Sequence, residues 1–374
     1  GPHYALLLIP YALAPMIHSV LLGRSLGIYA VVCVSVFGCL LVPAGYMLGY
    51  LATSMLCGVT AVHVMRQLRK RGRLLRAGFY VGAVAVIVSC AFNLIEVRPL
   101  FDSGVVDRWG QWEAFGIACL IVFSIGVMTG MVVSGLLPIL EGIFSLTTDI
   151  SWLELSDLNH KLLRRMQLEA PGTFHHSLVV ASLSEAAAEA VGANAMICRV
   201  CSYFHDIGKL HKPEYFIENQ GEENPHDALT PTMSALIIIA HVKDGVDLAI
   251  KNKLNPRIIE VIREHHGDSL VYYFYRKAQE QRKAEEDKVE EGLGNPEDLP
   301  DIDEKNFRYP GPCPRTRESG IISLADAVES ASRSLQKPTV QKIRSLVDEI
   351  VFNRLRDGQL DECGLTVRDL RRIR

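Results

Sequence analysis

Charge is missing from most of the first third of the chain. Residues 25–65 form a run of 41 without a single Asp, Glu, Lys or Arg, residues 77–95 and 114–140 lack them too, and residues 5–22 are apolar. Such runs exclude an ordinary soluble domain here, because a hydrocarbon core of ~30 Å is crossed by ~20 apolar residues at 1.5 Å each. The 41-residue run is too long for one crossing, and Pro43-Ala44-Gly45 near its middle supplies a turn. Five spans are expected, over 5–22, 26–42, 46–65, 77–95 and 115–140, as a polytopic helix bundle in a lipid bilayer occupying residues 1–140.

Other absences narrow the reading further. The nine cysteines form no disulfide framework: Cys33, Cys39, Cys57, Cys90 and Cys119 fall in apolar spans, where a thiol behaves as a small hydrophobe. Cys198 and Cys201 have CxxC spacing without a second such pair, and are read as reduced structural thiols. After residue 171 there is no alternating strand pattern of any length and no internal repeat, so the expected fold class is all-α throughout. The chain starts with Gly1 rather than Met and enters its first apolar helix almost at once, so an upstream segment is expected beyond it.

Loop charge gives the orientation. Residues 66–76 ("RQLRKRGRLLR") carry six basic and no acidic residues, which is the signature of a cytoplasmic loop. Residues 96–113 carry four acidic and two basic residues and fit the outer side. Alternation then places the N-terminus outside and everything after Glu141 in the cytoplasm. Residues 141–170 read as a juxtamembrane helical linker, with Ser156-Asp157 capping a helix whose Leu158, Leu162 and Leu163 share a face. Residues 171–374 follow as a helical domain, with Gly192 and Gly245 as helix stops. Residues 276–291 hold 11 charged residues in 16, and open a solvated insertion over about 276–305.

Nine of the twelve histidines lie between His160 and His266. Six positions stand out with one distant carboxylate: His176, His205-Asp206, His241, His265-His266 and Asp326. Each sits in a helical stretch or at a helix end, so several helices can deliver ligands to one centre. Imidazole and carboxylate together suit borderline divalent ions such as Fe, Mn, Co or Ni, and a carboxylate can bridge two of them. Two ions ~3.5–4 Å apart can activate a shared water against phosphorus and stabilise the phosphate oxygens. Lys209, three residues after Asp206 on the same helix face, is placed to touch a phosphate oxygen. Helix neighbours point ~100° apart, so one of His175 and His176 faces such a centre, and residue type does not choose between them. His160, His211 and His226 read as structural or surface residues.

These residues match the H…HD…H…HH…D pattern of the HD-superfamily phosphohydrolases. "LELSDLNHKLLRRMQLEAPGTFHHS", "YFHDIGKLHKPEYFIENQ", "REHHGDSLVYYFY", "FRYPGPCPRTRES" and "LADAVESASRSL" resemble the seven-transmembrane HD, PgpH-type, cyclic di-AMP phosphodiesterases of bacteria. The resemblance implies a cytoplasmic all-helical HD domain below a bacterial inner-membrane bundle, with two divalent ions, Fe or Mn. His176, His205 and Asp326 would hold one ion and His241, His265 and His266 the other; Asp206 would bridge, and Lys209 would bind substrate phosphate. Cyclic di-AMP would be hydrolysed to 5′-pApA, with no DNA or RNA polymer as partner. A homodimer and an extracellular ligand, acting through an N-terminal domain outside this chain, are further partners such a protein could have. Cys313 departs from the family pattern, which has a basic or polar residue in that loop. Residue types alone leave open a hydrolase for cyclic di-GMP, an alarmone or a dNTP, although no GYP follows the paired histidines. They also leave open a receptor that binds without cleaving, although all seven ligand positions are filled.

Overall fold

The computed structural model describes residues 2–65, 72–97, 108–144, 146–291, 295, 299, 301–335 and 337–374. The elements are helical, and the only β-pairing among the described residues is one isolated bridge, Leu270 with Arg308. Two compact units divide the chain, Gly1–Glu154 and Leu155–Arg374.

The first unit contains α1 (Pro2–Leu7), α2 (Leu13–Leu21), α3 (Arg24–Cys39), α4 (Met47–Val64), α5 (Gly72–Ala91), α6 (Arg108–Phe144) and α7 (Asp149–Leu155). The apolar run 5–22, expected as one span, is instead two short helices. Pro10 lacks an N–H and pushes the preceding residue away from helical backbone, which breaks the helix over 8–12. The expected turn at Pro43 is a 3-10 turn, Ala44–Tyr46, leading into α4. Three helical stretches among the described residues are long and apolar enough to cross a membrane: Ala44–Val64, Gly72–Ala91 and Trp109–Phe144. At 16 residues α3 is shorter, about 24 Å long at 1.5 Å per residue. The charged loops that set the expected orientation lie partly outside the described residues, at 66–71 and 98–107.

Beside a buried apolar core that includes Tyr11, Met16, Tyr50 and Leu74, the unit exposes many large apolar side chains and buries small polar ones. Tyr29, Phe37, Ile87 and Leu120 are exposed, whereas Ser35, Thr53, Ser54, Ser89 and Thr129 are buried. That is the arrangement lipid favours, because hydrocarbon outside offers no reason to hide leucine and close helix contact needs small residues. Ser54 Oγ donates to Ser35 Oγ at 2.9 Å, joining α4 to α3. Between α5 and α6 the backbones touch. A Cβ on Gly78 would lie 2.7 Å from the Gly126 carbonyl oxygen, one on Gly126 2.4 Å from Gly82 N, and one on Gly130 2.6 Å from the Leu74 carbonyl oxygen.

The second unit contains α8 (Lys161–Glu169), α9 (Pro171–Val191), α10 (Ala195–Phe204), α11 (Pro231–Lys251), α12 (Pro256–Glu264), α13 (Tyr272–Glu290), α14 (Arg317–Ser332), α15 (Val340–Arg356) and α16 (Val367–Ile373). Their starts are written in the sequence. Asn194, Thr230, Asn255, Thr316, Thr339 and Thr366 each accept a backbone N–H of the first turn, and α9, α11 and α12 open on proline, whose missing N–H costs nothing there. Gly192 ends α9 in the left-handed region, as expected. Gly245 does not end α11, which continues to Lys251. It packs on Gly208 instead: a Cβ there would lie 3.2 Å from Gly208 N, and a Cβ on Gly208 would lie 1.9 Å from the His241 carbonyl oxygen. The linker differs too. Asp157 Oδ1 accepts from Asn159 N at 2.9 Å, closing a turn, so α8 starts after His160 and Leu158 stays outside it. His160 caps α8 and packs edge-on against Phe204, the structural role expected of it. The charged segment begins as α13, and residues 292–294, 296–298 and 300 of the insertion lie outside the described residues.

Candidate metal centre

Five helices and one tight turn converge inside the second unit. His176 is on α9, His205 closes α10, His241 is on α11, His265 closes α12 with His266 next, and Asp326 is on α14. Asp206 leads a 3-10 turn, Ile207–His211, in which residues three apart eclipse, bringing Lys209 Nζ within 2.7 Å of Asp206 Oδ2. The expected juxtaposition of this pair therefore holds on a tighter helix than expected. His176, His205, Asp206, His241, His265 and Asp326 are buried, and so are Phe204, Ile207, Ile258, Ile262, Ile321 and Ile322 on the elements that carry them. His175, one residue before, is exposed.

Potential ligand atoms fall into two sets, each mutually within 4.8 Å: His176, His205, Asp206 and Asp326, and Asp206, His241, His265 and His266. Asp206 belongs to both, one oxygen to each. Its Oδ2 lies 3.4 Å from His176 Nε2 and 3.3 Å from His205 Nε2, and its Oδ1 3.4 Å from His241 Nε2 and 3.7 Å from His265 Nε2. Asp326 Oδ1 is 3.0 Å from His176 Nε2, and Asp326 Oδ2 is 3.7 Å from His266 Nδ1.

The unsatisfied atoms show that a cation fits. His176 Nε2, His205 Nε2 and both Asp206 oxygens are buried without a hydrogen bond; Lys209 reaches Asp206 as an ion pair rather than along a hydrogen-bond line. Nδ1–H of His205, His241 and His265 donates to the carbonyl three residues back, Ser202, Ile238 and Ile262, at 2.7, 2.6 and 2.8 Å. Each neutral ring then turns a lone pair on Nε2 inward, and the Nε2 atoms of His241 and His265 face each other at 3.4 Å. Two lone pairs at that separation repel unless a positive charge lies between or beside them.

Electrostatics divide the cluster. Burial opposes charge on His205, but Asp206 and Asp326 outweigh it and push its pKa up to about 10; His176 is raised against burial by Asp326 and Glu329. Burial lowers His265, and lowers His266 further with help from His265. Asp206 sits well below the usual carboxylate range although burial opposes this, because His205 and Lys209 favour its charge.

Several partners were invisible in the sequence. Glu329 accepts from His176 Nδ1 and is itself gripped by Arg333, with Nε to Oε1 at 2.9 Å and Nη2 to Oε1 at 2.7 Å. Its spacing of three from Asp326 on one helix is the signal that could have found it. Glu218 Oε1 accepts from Lys209 Nζ at 2.8 Å and Thr173 Oγ1 at 3.0 Å, tying the lysine to the start of α9. Tyr309 stacks on His266 with ring centroids 4.2 Å apart. Cys313 Sγ donates to Asp268 Oδ1 at 3.5 Å and lies 3.7 Å from Gln359 Oε1.

This geometry agrees with what the chain is similar to. Residues 2–148 match the family described as "7TM receptor with intracellular HD hydrolase", and residues 173–331 match the HD domain. The second unit superposes on the crystal structure of the Listeria monocytogenes phosphodiesterase PgpH HD domain in complex with cyclic di-AMP, at 43% identity and TM-score 0.52, over 57% of this chain and 93% of that one. The chain belongs to the seven-transmembrane HD family. Two family members named cyclic-di-AMP phosphodiesterase PgpH are 36% identical over 368 residues (Listeria monocytogenes) and 35% identical over 372 (Bacillus subtilis). The matches cover 98% and 97% of this chain but 48% of each relative, so the chain spans about half the length of these family members. The family and its apolar helices make this a membrane protein.

Proposed function

We propose that the chain is a membrane-anchored, metal-dependent phosphodiesterase that hydrolyses cyclic di-AMP to linear 5′-pApA. The observation that carries the reading is the pair of ligand sets sharing Asp206, in a domain similar to one solved with cyclic di-AMP bound. His176, His205 and Asp326 would hold one divalent ion and His241, His265 and His266 the other, with Asp206 common to both. Two ions, Fe or Mn, would supply an activated water and a counter-charge for phosphate oxygens. In the reaction one P–O3′ bond breaks; water gives its OH to phosphorus and its proton to the departing 3′ oxygen.

The chain's own groups do the remaining work. Carbonyls and Glu329 engage each Nδ1–H, so the Nε2 atoms of His176, His205, His241 and His265 are turned inward before anything binds. Lys209, held by Glu218, offers its ammonium to an oxygen of the phosphate under attack. The apolar shell lowers the local dielectric and strengthens each of these interactions. The basic loop at 66–76 supports a multi-pass chain with the HD domain on the cytoplasmic side of a bacterial membrane.

The test is product analysis with the purified full chain in detergent, loaded with Mn²⁺ or Fe²⁺. Cyclic di-AMP should appear as 5′-pApA, and Asp206→Asn should abolish turnover while the protein still folds. Tight nucleotide binding without turnover under every metal would replace this reading with a receptor.

A further inference from the structure

Arg354 is out of place for a surface arginine. It lies in the last turn of α15, its Nη1 is shielded from water without a hydrogen-bond partner, and no carboxylate lies within ion-pair distance of it among the described residues. The nearest acid in sequence is already engaged: Asp357 Oδ2 accepts from Gln359 Nε2 at 2.9 Å, and Asp357 Oδ1 lies 3.5 Å from Arg308 Nη2. The residue as a whole is half-buried, and a guanidinium nitrogen shielded from water without a partner is costly.

Its backbone is fixed against the paired-histidine turn. The Arg354 carbonyl accepts Gln359 N–H at 3.0 Å. Gln359, fully buried, donates through Nε2 to Asp268 Oδ1 and accepts Asp268 N–H at 3.3 Å. Gly267, immediately after His265-His266, has φ +59°, and a Cβ there would come 2.0 Å from Gln359 Oε1, so the two segments are in close contact. Burial pulls the guanidinium pKa down, and the charges of Asp326 and Tyr309 are the first to counter it. Lys209 is ion-paired with Asp206 and Glu218. Both cations lie near Tyr309, the ring stacked on His266, and each favours its ionised form against burial.

We propose that Arg354 is a substrate-binding residue that takes the second phosphate of the dinucleotide, the one not under attack. This rests on the cyclic dinucleotide reading above. A cyclic dinucleotide brings two phosphodiesters, and the metal sets and Lys209 account for one. The guanidinium presents a planar fork suited to the other, and a bound phosphate would satisfy the nitrogen that has no partner.

The test compares Arg354→Met and Arg354→Lys with wild type, all as metal-loaded full chains, on cyclic di-AMP and on bis(p-nitrophenyl) phosphate, which has a single phosphodiester. Losing a charge-assisted contact should lower kcat/KM on cyclic di-AMP about 10- to 100-fold for the methionine variant, mainly through KM, with lysine recovering part of it. The loss on the one-phosphate ester should be at least tenfold smaller, and bound metal should match wild type. Equal losses on both substrates, or loss of metal, would overturn the proposal in favour of a structural role, as would no change on either. A wild type that cleaves the simple ester but leaves cyclic di-AMP intact overturns the substrate reading, and this proposal with it.

Discussion

His176 is held differently from the other clustered histidines. His205, His241 and His265 donate Nδ1–H to carbonyls three residues back, within their own helices. His176 donates to Glu329, 153 positions away, and Arg333 keeps that carboxylate charged and in place. A carboxylate partner makes an imidazole a stronger electron donor than a carbonyl does, so the His176 set should bind its ion more tightly for it. Glu329→Gln keeps the shape and removes the charge. It should weaken metal retention about 10- to 100-fold, measured by metal content after dialysis against graded chelator, with Arg333→Met showing a smaller loss. Unchanged retention would reduce Glu329 to a packing role. His205-Asp206 and His265-His266 stood out in the sequence because adjacent His-Asp and His-His pairs are rare and chemically loaded, whereas His176 was separated from His175 only by the resemblance. Glu329, Glu218, Tyr309 and Arg354 were not, because an ordinary residue acquires its role only when folding brings it to the cluster.

At the scale of elements, the site depends on how closely the 3-10 turn Ile207–His211 approaches α11. Gly208 and Gly245 meet with no side chain between them, and the turn's own tightness places Lys209 over Asp206. Gly208→Ala would drive a methyl group into the His241 carbonyl, so the turn must move. The expected cost is about 1–3 kcal/mol of stability, read as a lowered melting temperature, together with loss of most activity. A variant that melts like wild type and keeps its activity would show that the close approach is dispensable. Most other helices of this unit start on threonine, asparagine or proline, which act locally, although the one start expected from the sequence was that at Ser156-Asp157. That start failed because Asp157 closed its own turn first, and Gly245 misled because close approach and helix ending both call for glycine.

For the whole molecule, the division of charge sets how ions enter. With its pKa raised to about 10, His205 holds a proton near neutral pH when no ion is present, and His176 is shifted the same way. An ion needs the lone pair that this proton occupies, so binding must expel it. Affinity should therefore rise with pH towards that value and fall as pH drops below neutrality. Calorimetric titration of metal-free protein with Mn²⁺, in buffers of different ionisation enthalpy near neutral pH, should show release of about one proton or more per chain. Heats independent of buffer would contradict the assignment. The membrane unit was legible as a class from its uncharged runs; the division of its first run at Pro10 depended on a single residue in an otherwise uniform stretch.

The glycine contact between α5 and α6 limits what that unit can pass on. Packed helices normally roll over one another on their side chains, which act as deformable bearings. Here carbonyl oxygens rest against glycine backbone, at Gly78, Gly82, Gly126 and Gly130. A roll of either helix about its own axis would swing a bulkier neighbour such as Val81 or Val127 into the contact. The two helices are therefore locked against rolling over one another, and they can move only as one body. At the end of α6, Glu141 accepts Thr148 N–H at 2.8 Å and Ser151 Oγ–H at 2.9 Å, which fastens α7 to the same rod. A displacement of the locked pair would thus be handed to α7 through Glu141, past the break in helix hydrogen bonding that Pro138 makes in α6.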